Sequence, residues 1–441
     1  MSHVAAVTPN ELKHLRRLST VRSGKNIKFL TPAVYSGGWC PMRVACNIVE
    51  DIEGLSYLLI GMPECATHSR GMNAMPEGEH GELRRLYTLD ANEVVFGCRE
   101  GVMGALRTMD SEGARAILMI ATCVTDLIGE DFEGIIDEMQ PKLAARLSFV
   151  ALGQFKCFGA SMGTWQTAEA MGRMMAAKPV DGRRANAMLV EPWRNKASPV
   201  EFGPVVGALA ERGVNIRSLA AGSKLDDFMD APDASMNLVL CPYTQPLAAA
   251  MKAAFGTPYA PLHNAFAVAD IDAVYGMIAS AFGVDFGDSF DSDRERALAL
   301  EERARRELCG LRYASMPGVD MPAALALYLA GFGMAPLVMH IEDFHGEDAG
   351  YAQALKALGF DPPVCRMMNI DYDIEVVRRL RPDMCVGDIP DHAKGFPCAE
   401  KMGDFFGKTG YGRTCAILER ILCAAATIVK MEVGTNGAAP L

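Results

Sequence analysis

Short apolar runs separated by amphipathic stretches recur along this 441-residue chain, and that alternation restricts it to parallel α/β units. LSYLLIG (55–61), ARAILMIAT (114–122), ANAMLVE (185–191), SMNLVLC (235–241), APLVMHI (335–341) and PDMCVGD (382–388) read as strands, and helices follow most of them. EDFEGIIDEMQ (130–140) puts Phe132, Ile135, Ile136 and Met139 on one helical face, with acids at the start and Pro141 at the end. The chain is too long for one ordinary core. The polar KPVDGRR (178–184) marks one boundary, and the charged helix DSDRERALALEERARREL (291–308) bridges to a unit beginning near Leu311. No short repeat and no low-complexity tract interrupts the pattern. The expected fold is α/β, three Rossmann-like domains with parallel sheets flanked by helices, over residues 1–180, 181–310 and 311–441.

A net charge of −11 argues against nucleic acid, which needs a basic face. The stretch 321–340 approaches membrane-spanning length, but Gly331, Gly333 and Pro336 cut it into helix, turn and strand. The opening MSHVAAVTPNELKHLRRLST has no apolar core of signal-peptide length and reads as a polar helical arm. These features set the expectation of a cytoplasmic protein with no membrane partner. GDFFGKTG (403–410) has one residue too few between its glycines for a phosphate loop, and GFGMAP (331–336) lacks the third glycine of a dinucleotide fingerprint.

Thirteen cysteines are many for a compartment where disulfides are rare, and they ask for metal, redox or core roles. No CxxC pair supports a zinc finger. Ligands of open parallel sheets bind outside the carboxyl ends of the strands. Cys65 follows LSYLLIGMPE, Cys123 follows ARAILMIAT, Cys241 ends SMNLVL, Cys385 lies in a short strand, and Cys40 follows the glycine-rich YSGGW. Thiolates at loop tips suit an iron–sulfur cluster, each iron taking one. Core packing is the competing reading for any single cysteine. It suits Cys98, on a helical face with Val95, Val102 and Leu106, and also Cys46, Cys415 and Cys423, while Cys309 and Cys365 have no ligand context.

GGWCPMR, GMPECATHSRG and ATCVTDLIGEDFEGI together resemble the three P-cluster cysteine segments of nitrogenase component 1, with cysteines 25 and 58 residues apart. LDANEVVFGCREGVMGAL (89–106) resembles the helix that family members place between the second and third. SMNLVLCPYTQPLAAAMKAAFGTPY (235–259) resembles the α-type segment whose cysteine binds one end of the iron–sulfur cofactor. The resemblance covers nearly the whole chain. It implies Cys40, Cys65 and Cys123 as metal ligands in a P-cluster-type 8Fe–7S or 4Fe–4S cluster shared with a homologous β-type subunit in an α2β2 heterotetramer. It implies Cys241 as ligand of a nitrogenase-like complex iron–sulfur cofactor, and an ATP-dependent iron protein as electron donor.

The departures matter as much. Where dinitrogen-reducing α subunits carry a glutamine and a histidine facing the cofactor, QFKCFGASMGTWQ (154–166) offers Ala160 and Thr164. A threonine cannot deliver a proton as an imidazole does. The stretch 395–412, matching the segment with the second-end histidine, has none, leaving Cys398 or Glu400 as cofactor-binding candidates. Keeping both cysteine sets while losing both histidines is most similar to a methylthio-alkane reductase, which cleaves carbon–sulfur bonds of small molecules reductively. A cofactor-assembly scaffold and a tetrapyrrole reductase subunit are the alternatives. Arg70, Cys157, His340 and His345 are further candidates; for the two histidines, a solvated loop with one packed imidazole competes with a pocket-lining role.

Overall fold

The computed structural model describes residues 12–32, 40–65, 77–153, 160–190, 200–390 and 395–436. The chain enters through β1 (Arg16–Arg17), and this arm joins the last sheet instead of leading the first. It runs antiparallel to residues 363–364, Ser19 binds both oxygens of Asp361, and Leu18, Val21 and Ile27 are buried beside Ile341, Leu355 and Val364. An exposed sheet edge needs covering, and a polar arm with three spaced apolar residues supplies the cover.

The first sheet contains β2 (Ser56–Gly61), β3 (Arg84–Thr88), β4 (Ala116–Ala121) and β5 (Arg146–Ala151) in the order β3-β2-β4-β5. The second contains β6 (Asp181–Leu189), β7 (Asn215–Ala220), β8 (Ala234–Val239) and β9 (Tyr259–Pro261) in the order β7-β6-β8-β9. The third contains β10 (Arg312–Ser315), β11 (Ala335–His340), β12 (Pro363–Cys365), β13 (Met384–Val386) and β14 (Cys398–Ala399), in the order β1-β12-β11-β10-β13-β14. Apart from β1 every pairing is parallel, and all six apolar runs named above contribute a strand. Strand order reverses once in each sheet, between β2 and β4, between β6 and β8, and between β10 and β13. A crevice forms at the carboxyl end of such a reversal because the flanking connections leave to opposite sides.

Phe132–Met139 forms the helix expected near 130–140; Asp131 caps it by accepting from the Gly134 N–H at 2.9 Å, and Phe132, Ile135 and Met139 are buried. Residues 89–106 form two helices, Ala91–Phe96 and Arg99–Ser111, because Gly97 turns left-handed (φ 91°) between them. Cys98, Val102 and Leu106 are buried as the single-helix reading requires, but Val95 is rotated outward and is 71% exposed. Residues 321–340 form a helix (Pro322–Ala330), a turn with Gly333 at φ 83°, and β11. No described helix is long and apolar enough to cross a membrane.

The helix Ala160–Gly172 joins the units. A Cβ on Gly163 would lie 2.6 Å from the Pro41 carbonyl oxygen, and one on Gly172 would lie 2.5 Å from Leu247. The helix therefore rests directly on Pro41–Glu50 and on Gln245–Phe255. One apolar core runs without a break from Leu59 and Leu118 of the first sheet to Met188 and Val239 of the second. The C-terminal helix, Gly410–Asn436, packs along Asp291–Glu307 and supplies Tyr411 and Cys415 to the second core and Leu418 and Ile421 to the third.

Candidate functional site

Cys65 and Cys123 leave the carboxyl ends of β2 and β4, the two strands flanking the reversal of the first sheet. Cys123 is the first residue of the helix Cys123–Ile128, and Cys40 is the N-cap of Pro41–Glu50. Burial raises the Cys40 thiol above its ordinary value, the N–H groups of Met42 and Arg43 oppose the rise, and the sulfurs of Cys123 and Cys65 add to it. The three sulfurs are thus electrostatic neighbours, and each residue is only half-buried. A helix N-terminus favours the thiolate over the thiol.

Three details bear on whether an iron–sulfur cluster fits here. A Cβ on Gly61 would strike the Thr122 hydroxyl and lie 3.1 Å from the Cys65 sulfur, so only glycine leaves this corner open. The buried Thr122 hydroxyl has no hydrogen-bond partner. Among the described residues no three His, Cys, Asp or Glu side chains converge tightly enough to hold one ion. A cluster takes each thiolate on a different iron, so its ligands need not converge on one point as those of a single ion must. The residues fit the group.

Cys241 leaves β8 at the reversal of the second sheet. It is fully buried, its thiol donates to the Val190 carbonyl beyond β6 at 3.6 Å, and Thr244 Oγ1 lies 3.6 Å away. Burial raises its thiol above the ordinary value. Tyr243 faces outward from this turn, with its ring near those of Phe406 (5.6 Å) and His345 (6.3 Å). Burial raises the Tyr243 phenol, and Asp320, Glu342, Cys241 and Asp343 add to the effect. These groups gather beside Cys241, between the turn after β8 and the loops of the third sheet, a region we call the chamber. Trp165 of the joining helix donates its indole N–H to Asp343 at 2.8 Å.

Thr164 is fully buried in that helix, next to the Gly163–Pro41 contact. Cys398 lies elsewhere: its thiol donates to the Gly387 carbonyl at 3.2 Å, and it lines an outer groove with Glu400, Glu419 and Cys423. It pairs with Cys385 of β13, and its groove is walled by the C-terminal helix. The stretch 395–412 reaches the chamber side through Met402, Phe405 and Phe406 instead. His340 is packed, its Nδ1 accepting from the Met367 N–H at 3.0 Å, and burial, with Arg366, pushes it down to about 4. His345 is the histidine that reaches the chamber. Arg70, Cys157 and the Ala160 side chain lie outside the described residues.

Sequence reasoning missed His263. Its Nε2 meets Glu347 Oε1 at 2.9 Å, Asn264 donates to Oε2 at 3.0 Å, and its own Nδ1 is buried without a partner. Burial would raise the Glu347 carboxyl, but His263 and Asn264 hold it below the usual range. The position of His263 just after β9 was the available signal, the same rule that finds the cysteines.

The model of the nitrogenase component 1 type oxidoreductase family matches residues 40–425. The nitrogenase iron–molybdenum cofactor biosynthesis protein NifE of Clostridium pasteurianum is 25% identical over 226 residues, which are 50% of this chain and 48% of that protein. The match thus spans about half the length of that relative. Nitrogenase Cp1 at pH 6.5 has the same fold, with a TM-score of 0.64 and 14% identity over 93% of this chain and 98% of its own. Nitrogenase Cp1 at pH 5 gives 0.58 and 16% over 94% of each. With three reversal crevices, ordered cysteines at two of them and a family model spanning all three sheets, the chain belongs to the nitrogenase component 1 type oxidoreductases.

Proposed function

We propose that this chain is the catalytic subunit of a nitrogenase-like reductase. Electrons from an ATP-dependent iron protein enter at a cluster held by Cys40, Cys65, Cys123 and a homologous β-type partner, and are used beside Cys241. The observation carrying this reading is the contrast in burial between two thiol sites on equivalent crevices. The first is half-open, as a cluster completed by another subunit requires. It also adjoins an apolar surface: Val95 (71% exposed), Phe96 (85%) and Leu127 (72%) project from Ala91–Phe96 and Cys123–Ile128, which pack together. A patch of this kind marks a protein contact, and on the helix carrying Cys123 it suits the electron donor.

Cys241 is itself fully buried, beneath the partly exposed ring of Tyr243 and its aromatic neighbours, an apolar setting that suits a small apolar substrate. A complex iron–sulfur cofactor bound there supplies electrons at low potential. The proposed reaction is reductive cleavage of a small methylthio-alkane, R–S–CH3 + 2e− + 2H+ giving R–H and CH3–SH. Thr164, lacking an acidic proton near neutral pH, does not serve dinitrogen reduction.

A second reading, an assembly scaffold for the cofactor, is favoured by the likeness to a cofactor biosynthesis protein. The decisive experiment uses the anaerobic complex with its partner. Thiol release from a thioether with iron protein and ATP supports the reductase. Cluster transfer to an apoprotein without thioether consumption supports the scaffold. A complex without iron would sink both.

A further inference from the structure

The reversal of the third sheet carries no cysteine on the loops leaving it; after β10 stands Asp320, and after β13 stands Asp388. The loops are pressed together: a Cβ on Gly387 would lie 2.6 Å from the Met316 and Pro317 carbonyl oxygens, and one on Gly318 would strike the Asp388 carboxylate. Asp388 is spent on this structure, its N–H donating to Pro317 O at 2.7 Å and its Oδ1 accepting from the Lys401 N–H at 2.7 Å. Asp320 instead faces a cavity of about 40 Å³ walled by Phe266, Leu325, Met402, Phe405 and Ile417.

The other charge in that wall is Arg413. Its Nη1 and Nη2 donate to the carbonyls of His263 (2.5 Å) and Ala265 (2.6 Å), and the guanidinium lies 4.3 Å from the Phe266 ring centre. Its Nε–H is buried and has no partner, although the side chain is only 6% exposed. Among the described contacts no ion pair joins Arg413 to Asp320. A dry apolar cavity needs no filling, but an unpaired guanidinium N–H opposite a carboxylate, with room for more than one water at roughly 10–15 Å³ each, defines a hydrated site. Asp320 is also close enough to the Tyr243 phenol, two residues from Cys241, to raise it by its charge.

We propose that Asp320 is the proton-relay group of the Cys241 chamber, reloaded by water held between it and the Arg413 Nε–H. This rests on the reductase reading above. Hydronium in the cavity gives its proton to the carboxylate and becomes water. The carboxylic acid then gives that proton to the methanethiolate formed in the chamber, leaving methanethiol and the original carboxylate. The groups facing Asp320 are Arg413 from the C-terminal helix, Glu342 from the loop after β11, Asp388 from the loop after β13, and Tyr243 from the turn after β8. Burial pushes the Asp320 carboxyl up to about 7, Arg413 opposes the rise, and Glu342 and Asp388 add to it, which suits a group that loads and unloads near neutral pH.

The test is infrared difference spectroscopy and proton-uptake kinetics on the anaerobic complex with its partner. The parent should show a protonated-carboxyl band that titrates near neutral pH, and Asp320→Asn should lose it. With iron content unchanged, Asp320→Asn should slow the proton uptake that accompanies dithionite reduction by about 100-fold, and Asp320→Glu should recover most of the rate. Absence of the band, or an iron-replete Asp320→Asn complex with undiminished uptake, overturns the relay. A parent complex without iron sinks the functional reading itself.

Discussion

The crevices of the first and second sheets are equivalent in topology and opposite in treatment. Both stand where strand order reverses and both carry cysteine, but Cys40, Cys65 and Cys123 are half-buried while Cys241 is closed off entirely. Position on the sheet decides that a ligand group is present; burial decides what it can do. A site that exchanges electrons across a protein boundary must lie near that boundary. A site that reacts with a small apolar molecule gains from exclusion of water. The helix Ala160–Gly172 keeps the two apart and in register, with Gly163 against Pro41 and Trp165 against Asp343.

The sharpest way to break the contrast is to remove one thiol from each side. Cys241→Ala should abolish the chamber cofactor's paramagnetic signal and leave the shared cluster, while Cys123→Ala should do the reverse; loss of both signals in either variant would erase the distinction. Next in size is thiol labelling of the metal-free chain, followed by peptide mass spectrometry. Cys65 and Cys123 should be alkylated on the order of 1000-fold faster than Cys241, which must wait for an opening that costs about 4 kcal/mol. Equal rates would mean that the chamber is open.

Phe96→Glu should weaken iron-protein binding by about 30-fold, the factor for a central apolar anchor. Its unfolding free energy should stay within about 0.5 kcal/mol of the parent. A binding curve that does not move would place the donor elsewhere. Gly163→Ala should cost about 1–3 kcal/mol by forcing the helix off Pro41, and the shared-cluster spectrum should change before the chamber spectrum does. A last effect belongs to neither site. His340 is buried neutral, depressed to about 4 from 6.5, so its contribution is complete above 6.5 and is lost as pH falls toward 4. The slope in that window is at most about 1.4 kcal/mol per pH unit, read from the denaturation midpoint, and His340→Gln should flatten it.

The six strands were legible because buried parallel strands are continuous apolar runs, and the ordered cysteines because each follows such a run. Arg84–Thr88 and Asn215–Ala220 were harder to see because charge interrupts their apolar character. The Val95–Phe96 surface was hidden by a helical pattern that crosses Gly97 without a break in sequence, whereas the backbone breaks there. Cys398 is a candidate because its neighbours resemble a ligand segment, and what the sequence did not reveal is that it lies on β14 in a groove beside the C-terminal helix. Asp320 and His263 share the placement that made the cysteines conspicuous, but their residue types are too common after strands to stand out. Their significance comes from Arg413 and Glu347, partners more than 80 residues away that only the folded chain brings near.

The N-terminal arm has a consequence for how the protein is made. Its docking site is built from Asp361, Val364 and Arg366, whose guanidinium donates to the Gly24 and Ile27 carbonyls at 2.8 Å each. On the ribosome, where domains fold in order of emergence, this arm emerges some 340 residues before the seat that holds it. Until then the third sheet lacks its edge cover and the arm's apolar residues lack a home. The arm is therefore made long before it can settle, and it closes the third sheet as a latch.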